Sequence, residues 1–151
     1  MVSLNPCRER VVVGDVMNMP FADGSFDLVV CSALLHHLGR GEQEKAVREF
    51  ARVSRGFVAV SEPHWLNPAM FLFGLLKKEE RGIIGLRKRR IRELFSRAGL
   101  EVTREKVYGL VLPNLMARGL LRPVLPVASA LARTWLAAVL GFHVLVIGRK
   151  A

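Results

Sequence analysis

Apolar positions along the first two-thirds of the chain fall into short runs separated by helix-like stretches. Residues 26–31 (FDLVVC) are apolar at nearly every position after Asp27. That pattern predicts a strand buried on both faces, as in a parallel sheet covered by helices. Residues 56–61 (GFVAVS) read the same way, and residues 10–13 form a shorter β-branched run closed by Gly14 and Asp15. Between the first two runs, residues 18–25 (NMPFADGS) carry turn chemistry, with Pro20 and then Asp23-Gly24. Residues 41–54 repeat apolar Ala46, Val47, Phe50 and Val53 at helical spacing with charges opposite. A shorter helix is expected over residues 33–38. Residues 87–98 place Ile91, Leu94, Phe95 and Ala98 at i, i+3, i+4 and i+7, and Gly99 is a good stop. Residues 100–108 alternate like a sheet-edge strand, and residues 143–148 (HVLVIG) form a last strand candidate. Strands alternating with helices of this length predict an α/β fold with a mainly parallel sheet.

Two stretches exceed a minimal α/β unit. Residues 65–76 are apolar nearly all round. Residues 110–142 read as a Leu- and Ala-rich helical insertion broken by Pro113, Pro123 and Pro126. Neither holds 18 uninterrupted apolar residues, so a spanning helix is not expected, and an interfacial helix or a lid over a greasy substrate stays open.

At 151 residues the chain suits one domain, and 51% hydrophobic with 24% charged residues is a globular composition. The two cysteines, Cys7 and Cys31, cannot form a disulfide framework and read as free thiols in a reducing compartment. No Cys/His group has zinc-ligand spacing, so no metal site is expected. The opening residues lack the apolar core of a secretory signal. The expectation is a cytoplasmic chain, with membrane association open to it. A net charge of +10 implies affinity for something anionic.

The chemistry concentrates in residues 14–38, GDVMNMPFADGSFDLVVCSALLHHL. An acid directly after a strand sits at the strand's carboxyl end, the edge where open α/β sheets bind ligands. Asp15 fits that position. Cys31 and Ser32 close the next strand on the same edge, and Leu34 to His37 follow, so Asp15 and residues 31–37 are expected to line one crevice. Glu62, His64 and Trp65, after the following strand, belong to the same edge.

The pattern of strand-GD, MPF-x-DGSFDLVV and LLHHL resembles the middle of class I S-adenosylmethionine-dependent methyltransferases. It is most like the small-molecule branch that includes the ubiquinone and menaquinone C-methyltransferases. The likeness covers residues 11–60 and continues more weakly over residues 87–108. It implies an incomplete Rossmann-like sheet, strands three to seven of the family with an antiparallel last strand, plus the helical insertion. It implies S-adenosylmethionine as cofactor, with Asp15 on the adenine amino group and Val16 beside the ring. Cys31 and Ser32 would lie near the methionine end, and Leu34 would pack on the cofactor. His36 and His37 would stand near the acceptor, where an imidazole is the usual general base. Glu62, His64 and Trp65 are the expected substrate contacts. The two apolar segments suit a small acceptor of lipid-like or quinone-like character.

The family's Gly-rich cofactor loop and the acid that follows it are not found ahead of Gly14. Strands one and two with their connections would need roughly 50 further residues. Three arrangements would reconcile this: a longer gene product, a second chain or copy completing the sheet, or a non-catalytic half-domain. Beside methyl transfer stand two other readings. One is an RNA methyltransferase or nucleic-acid binder, motivated by Arg87 to Arg90 and Arg92. It is disfavoured because charge runs usually face water and few aromatics lie near. The other is a peripheral membrane or interaction piece.

Overall fold

The computed structural model describes residues 11–109, 130 and 134–150. Strand β1 (Phe26–Ser32) leads through a 3-10 turn (Leu35–His37) and helix α1 (Arg40–Val53) into β2 (Ser54–Pro63). Next come α2 (Pro68–Leu76), a 3-10 turn (Lys78–Glu80), α3 (Gly82–Gly85), α4 (Lys88–Arg97) and β3 (Leu100–Tyr108). A short α5 (Ala137–Leu140) precedes β4 (His143–Lys150).

The four strands form one sheet in the order β1-β2-β4-β3. β1 and β2 are parallel, with Val30 opposite Ala59 and Cys31 opposite Val60. A helical crossover connects them, as parallel neighbours require. β4 inserts antiparallel between β2 and β3. The expected α/β class and antiparallel last strand are therefore borne out.

Amphipathic helices cover the sheet. α1 buries Ala46, Val47, Phe50 and Val53, and α4 buries Ile91, Leu94 and Phe95. All but Val53 meet Val58 and Val60 of β2 and Val144 and Val146 of β4 in one core. Each such side chain taken out of water contributes about 1.5–3 kcal/mol. α4 stops because Gly99, at φ 73°, turns the chain in a left-handed conformation that a side chain would strain. α2 starts where the Asn67 carboxamide oxygen accepts the Ala69 and Met70 amides at 3.0 and 3.1 Å, with Pro68 fixing the first turn.

Three expectations change, and a fourth falls mostly outside the described residues. Residues 11–13 form no strand, and Val12 and Val13 are exposed. A β-branched run needs a ladder partner, and among the described residues the sheet ends at β1. β1 is a strand, but it is not buried on both faces: Leu28 and Val30 are 51% and 65% exposed. The short helix expected over residues 33–38 contracts to a single 3-10 turn. Ala33 begins it at φ 50°, in the left-handed region, with its amide on the Ser61 carbonyl at 2.8 Å. Of the insertion over residues 110–142, most lies outside the described residues, and the described part holds only α5. No helix among the described residues is long and apolar enough to cross a membrane.

Candidate functional site

The carboxyl ends of β1 and β2 lie side by side, so the segments leaving them share one rim. Glu62, the last residue but one of β2, joins the two. Its carboxylate is wholly buried, and Oε1 accepts the amides of Leu34 and Leu35 at 3.0 and 2.9 Å. Oε2 binds His36 Nδ1 at 2.6 Å. A buried charge is tolerated only when fully partnered, and here the amides opening a turn and an imidazole supply the partners. Glu62 was expected to touch substrate; its oxygens are instead occupied in shaping the turn after β1.

His36 is buried, and its Nε2 lies 3.2 Å from Glu80 Oε2. Burial opposes the imidazolium, but the hydrogen bonds and charges of Glu62 and Glu80 outweigh it, and the pKa is raised. His37 is exposed beside it, its ring centroid 4.0 Å away, and donates from Nδ1 to the Glu79 carbonyl at 3.2 Å. The Lys78–Glu80 turn reaches this place because Gly82 follows it. Any Cβ on Gly82 would overlap the His36 carbonyl, so the close approach requires glycine.

Cys31 is buried, and burial, followed by the Glu62 charge, pushes its thiol up to about 12. It is an uncharged packing group and not a nucleophile at neutral pH. Ser32 is exposed at the end of β1, and Leu34 is half-buried against the core. His64 is buried and donates from Nδ1 to the Gly141 carbonyl at 3.2 Å. Its Nε2 has no partner among the described residues, and burial lowers its pKa. Trp65 is half-buried, with the Arg87 guanidinium 4.5 Å over its ring.

Asp15 occupies the second part of the site. Its Oδ1 accepts the Met17 amide at 2.9 Å, and its carbonyl accepts the Asn18 amide at 3.0 Å. The exposed carboxylate lines a hollow of about 200 Å³ with Val12, Gly14, Val16, Met19 and Phe21. Val16 and Met17 pack on the same core as Leu34. No hydrogen bond among the described residues joins Asp15 to residues 31–37.

Two residues that sequence reasoning missed hold this loop. Arg52 donates to the carbonyls of Met19 and Phe21 at 3.0 and 2.8 Å, to Asp23 at 2.7 Å, and to Glu49. Glu49 accepts the Met19 amide at 2.9 Å. The signal available was their i, i+3 spacing on α1. Glu80 and Gly82 were also missed; no local pattern connects them to His36.

The basic run is largely tied up within the protein. Arg90 bonds Glu44 and the Arg40 carbonyl, Arg89 pairs with Glu93, and Arg92 pairs with Glu105.

Comparison with known proteins bears out the resemblance. A family model described as a methyltransferase domain matches residues 3–59. A demethylmenaquinone methyltransferase of Corynebacterium efficiens is 38% identical over 69 residues, 46% of this chain and 29% of that protein. The chain thus matches less than a third of the length of that curated relative. A crystal structure of an S-adenosylmethionine-dependent methyltransferase from Thermotoga maritima superposes with TM-score 0.64 at 17% identity, covering 100% of this chain and 69% of that one. Another from Archaeoglobus fulgidus gives TM-score 0.62 at 12% identity, over 92% and 66%. At these identities the structures establish the fold.

Proposed function

We propose that this chain, with a methyltransferase domain match over residues 3–59 and a methyltransferase fold, takes part in methyl transfer from S-adenosylmethionine to a small lipophilic acceptor. The observation that carries the reading is the rim itself. Parallel β1 and β2 end side by side, and Glu62 draws the Leu34–His36 segment across them, at the edge where open α/β sheets take ligands.

The residues present fit one face of such a cofactor. Oδ1 of the exposed Asp15 carboxylate accepts the Met17 amide, and its other oxygen would accept an exocyclic amine. Val12, Val16 and Met19 offer an apolar floor beside it. Ser32 and the backbone at Ala33 and Leu34 would face the methionine end. When bound, S-adenosylmethionine supplies a sulfonium methyl group for in-line transfer. The protein's part is to orient the reactants and exclude water. An acceptor that must lose a proton needs a base, and His37 is the exposed imidazole of the pair. Glu62 acts as a positioning residue, through His36.

A lipid-like or quinone-like acceptor is supported by α2. Its side chains Phe71, Leu72, Phe73, Leu75 and Leu76 are all exposed, an apolar surface beside the rim. The named activity of the Corynebacterium efficiens relative points the same way. The same surface supports peripheral contact with a membrane. Among the described residues the outer edge of β1 has no partner, which supports a sheet continued by further strands, from a longer chain or a second one.

Calorimetry with S-adenosylmethionine tests the reading, on this chain alone and on one carrying additional strands. Binding that falls at least tenfold in Asp15→Ala is expected; no binding to either form removes the proposal.

A further inference from the structure

Two imidazoles and a carboxylate converge where the turn after β1 meets the Lys78–Glu80 turn. Ligand atoms of His36, His37 and Glu80 all lie within 4.8 Å of one another. We propose that they form a binding site for a zinc-class divalent cation, with the two imidazoles and the Glu80 carboxylate as ligands and a fourth coordination position open. The proposal does not need the methyl-transfer reading, and it competes with one part of it: with Nδ1 donating to Glu79 and Nε2 on an ion, His37 has no lone pair left to act as a base.

The argument rests on which nitrogens are already used. His37 Nδ1 faces the Glu79 carbonyl, which can only accept, so Nδ1 carries the hydrogen and the neutral ring's lone pair sits on Nε2. His36 Nδ1 is held by the Glu62 carboxylate, leaving its Nε2 turned toward Glu80. A carboxylate behind an imidazole, fixing its tautomer, is the usual outer support of a metal-binding histidine.

The spacing agrees. His36 Nε2 and Glu80 Oε2 stand 3.2 Å apart. Bond lengths of about 2.0–2.1 Å in a tetrahedral site put neighbouring donors roughly 3.3 Å apart. An imidazolium lying between Glu62 and Glu80 would account for His36 alone, but it does not account for the His37 ligand atom converging on the same point. Imidazole nitrogens select zinc-class ions over magnesium or calcium, which take oxygen donors. Two His and one carboxylate with an open position is a donor set zinc uses. His37 is exposed and the Glu80 side chain is 24% exposed, so an ion can enter from solvent.

The full chain is titrated with Zn²⁺ against a chromophoric chelator, and with Co²⁺ to record visible absorption. Expected are one ion per chain and tetrahedral d–d bands without a thiolate charge-transfer band. Affinity should fall roughly tenfold or more in His37→Ala and in Glu80→Gln. Circular dichroism is recorded on both variants, and either one that stays folded suffices. The cobalt spectrum of the unmodified chain needs neither. Absence of stoichiometric binding, a thiolate band from Cys7, or undiminished affinity in a folded variant overturns the proposal.

Discussion

β1 and β2 are neighbouring strands of similar composition with opposite fates. β1 reads FDLVVCS and leaves Phe26, Leu28 and Val30 exposed, with only Cys31 buried. β2 reads SRGFVAVSEP and buries its last six residues, from Val58 to Pro63. Both are apolar runs with strand-forming residues. The difference lies in their neighbours: β2 has a strand on each side and helices over it, whereas among the described residues β1 has β2 alone. An apolar run therefore reports that a strand forms, while its burial is set by what packs around it.

The sharpest way to break this contrast is a pair of matched truncations. Val60→Ala, at a side chain with no exposure, should cost about 2–3 kcal/mol in urea unfolding. Val30→Ala, 65% exposed, should change stability by less than about 0.5 kcal/mol. Equal costs would show that something covers β1 in solution.

A second substitution probes the junction between the strands. Glu62→Gln puts an amide where two backbone N–H groups and an imidazole seek acceptors. It should cost about 2 kcal/mol, and amide exchange at Leu34 and Leu35 should accelerate. Unchanged exchange there would mean that Glu62 does not hold the turn.

Next to that junction, where the end of β2 meets the start of β4, His64 and His143 respond to acid in the opposite sense from His36. Burial lowers the pKa of His64, against its bond to Gly141 and aided by Lys88. It also lowers the pKa of His143, against the charge of Glu62. A depressed imidazole pKa means that the unfolded chain binds the proton first. The stability is then fully present above the unfolded value of 6.5 and is lost as pH falls below it. Thermal melts from about pH 7 down to about pH 5 should show a decline that is smaller in His64→Phe. An equal decline would remove His64 from the account.

The mildest effect concerns the loop carrying Asp15. Arg52→Ala should raise hydrogen exchange at the Met19 and Gly24 amides while β2 keeps its protection. Protection retained in that loop would show that its own turns suffice.

The sequence was most legible where a pattern is local. Helix α1 and helix α4 appear within one or two residues of the expected bounds, since each packs the same stripe that the spacing displays. β3 matches its expected residues 100–108 throughout. Residues 11–13 misled because their β-branched composition is only half of a strand, the other half being a partner ladder. The rim was legible in part: His36 and Glu62 were expected near a ligand edge, but not their 2.6 Å contact.

By itself the sequence determined the alternation of strands and helices, the position of the turns, and the stretch that carries the family likeness. Hydrophobic period and turn chemistry act between near neighbours, so they can be read from one chain. Tertiary structure alone decided that Glu62 is an internal anchor, that Cys31 is an inert thiol, and that Glu80 meets His36 across 44 positions. Those outcomes depend on burial and on side chains brought together from distant segments, and no local spacing encodes them.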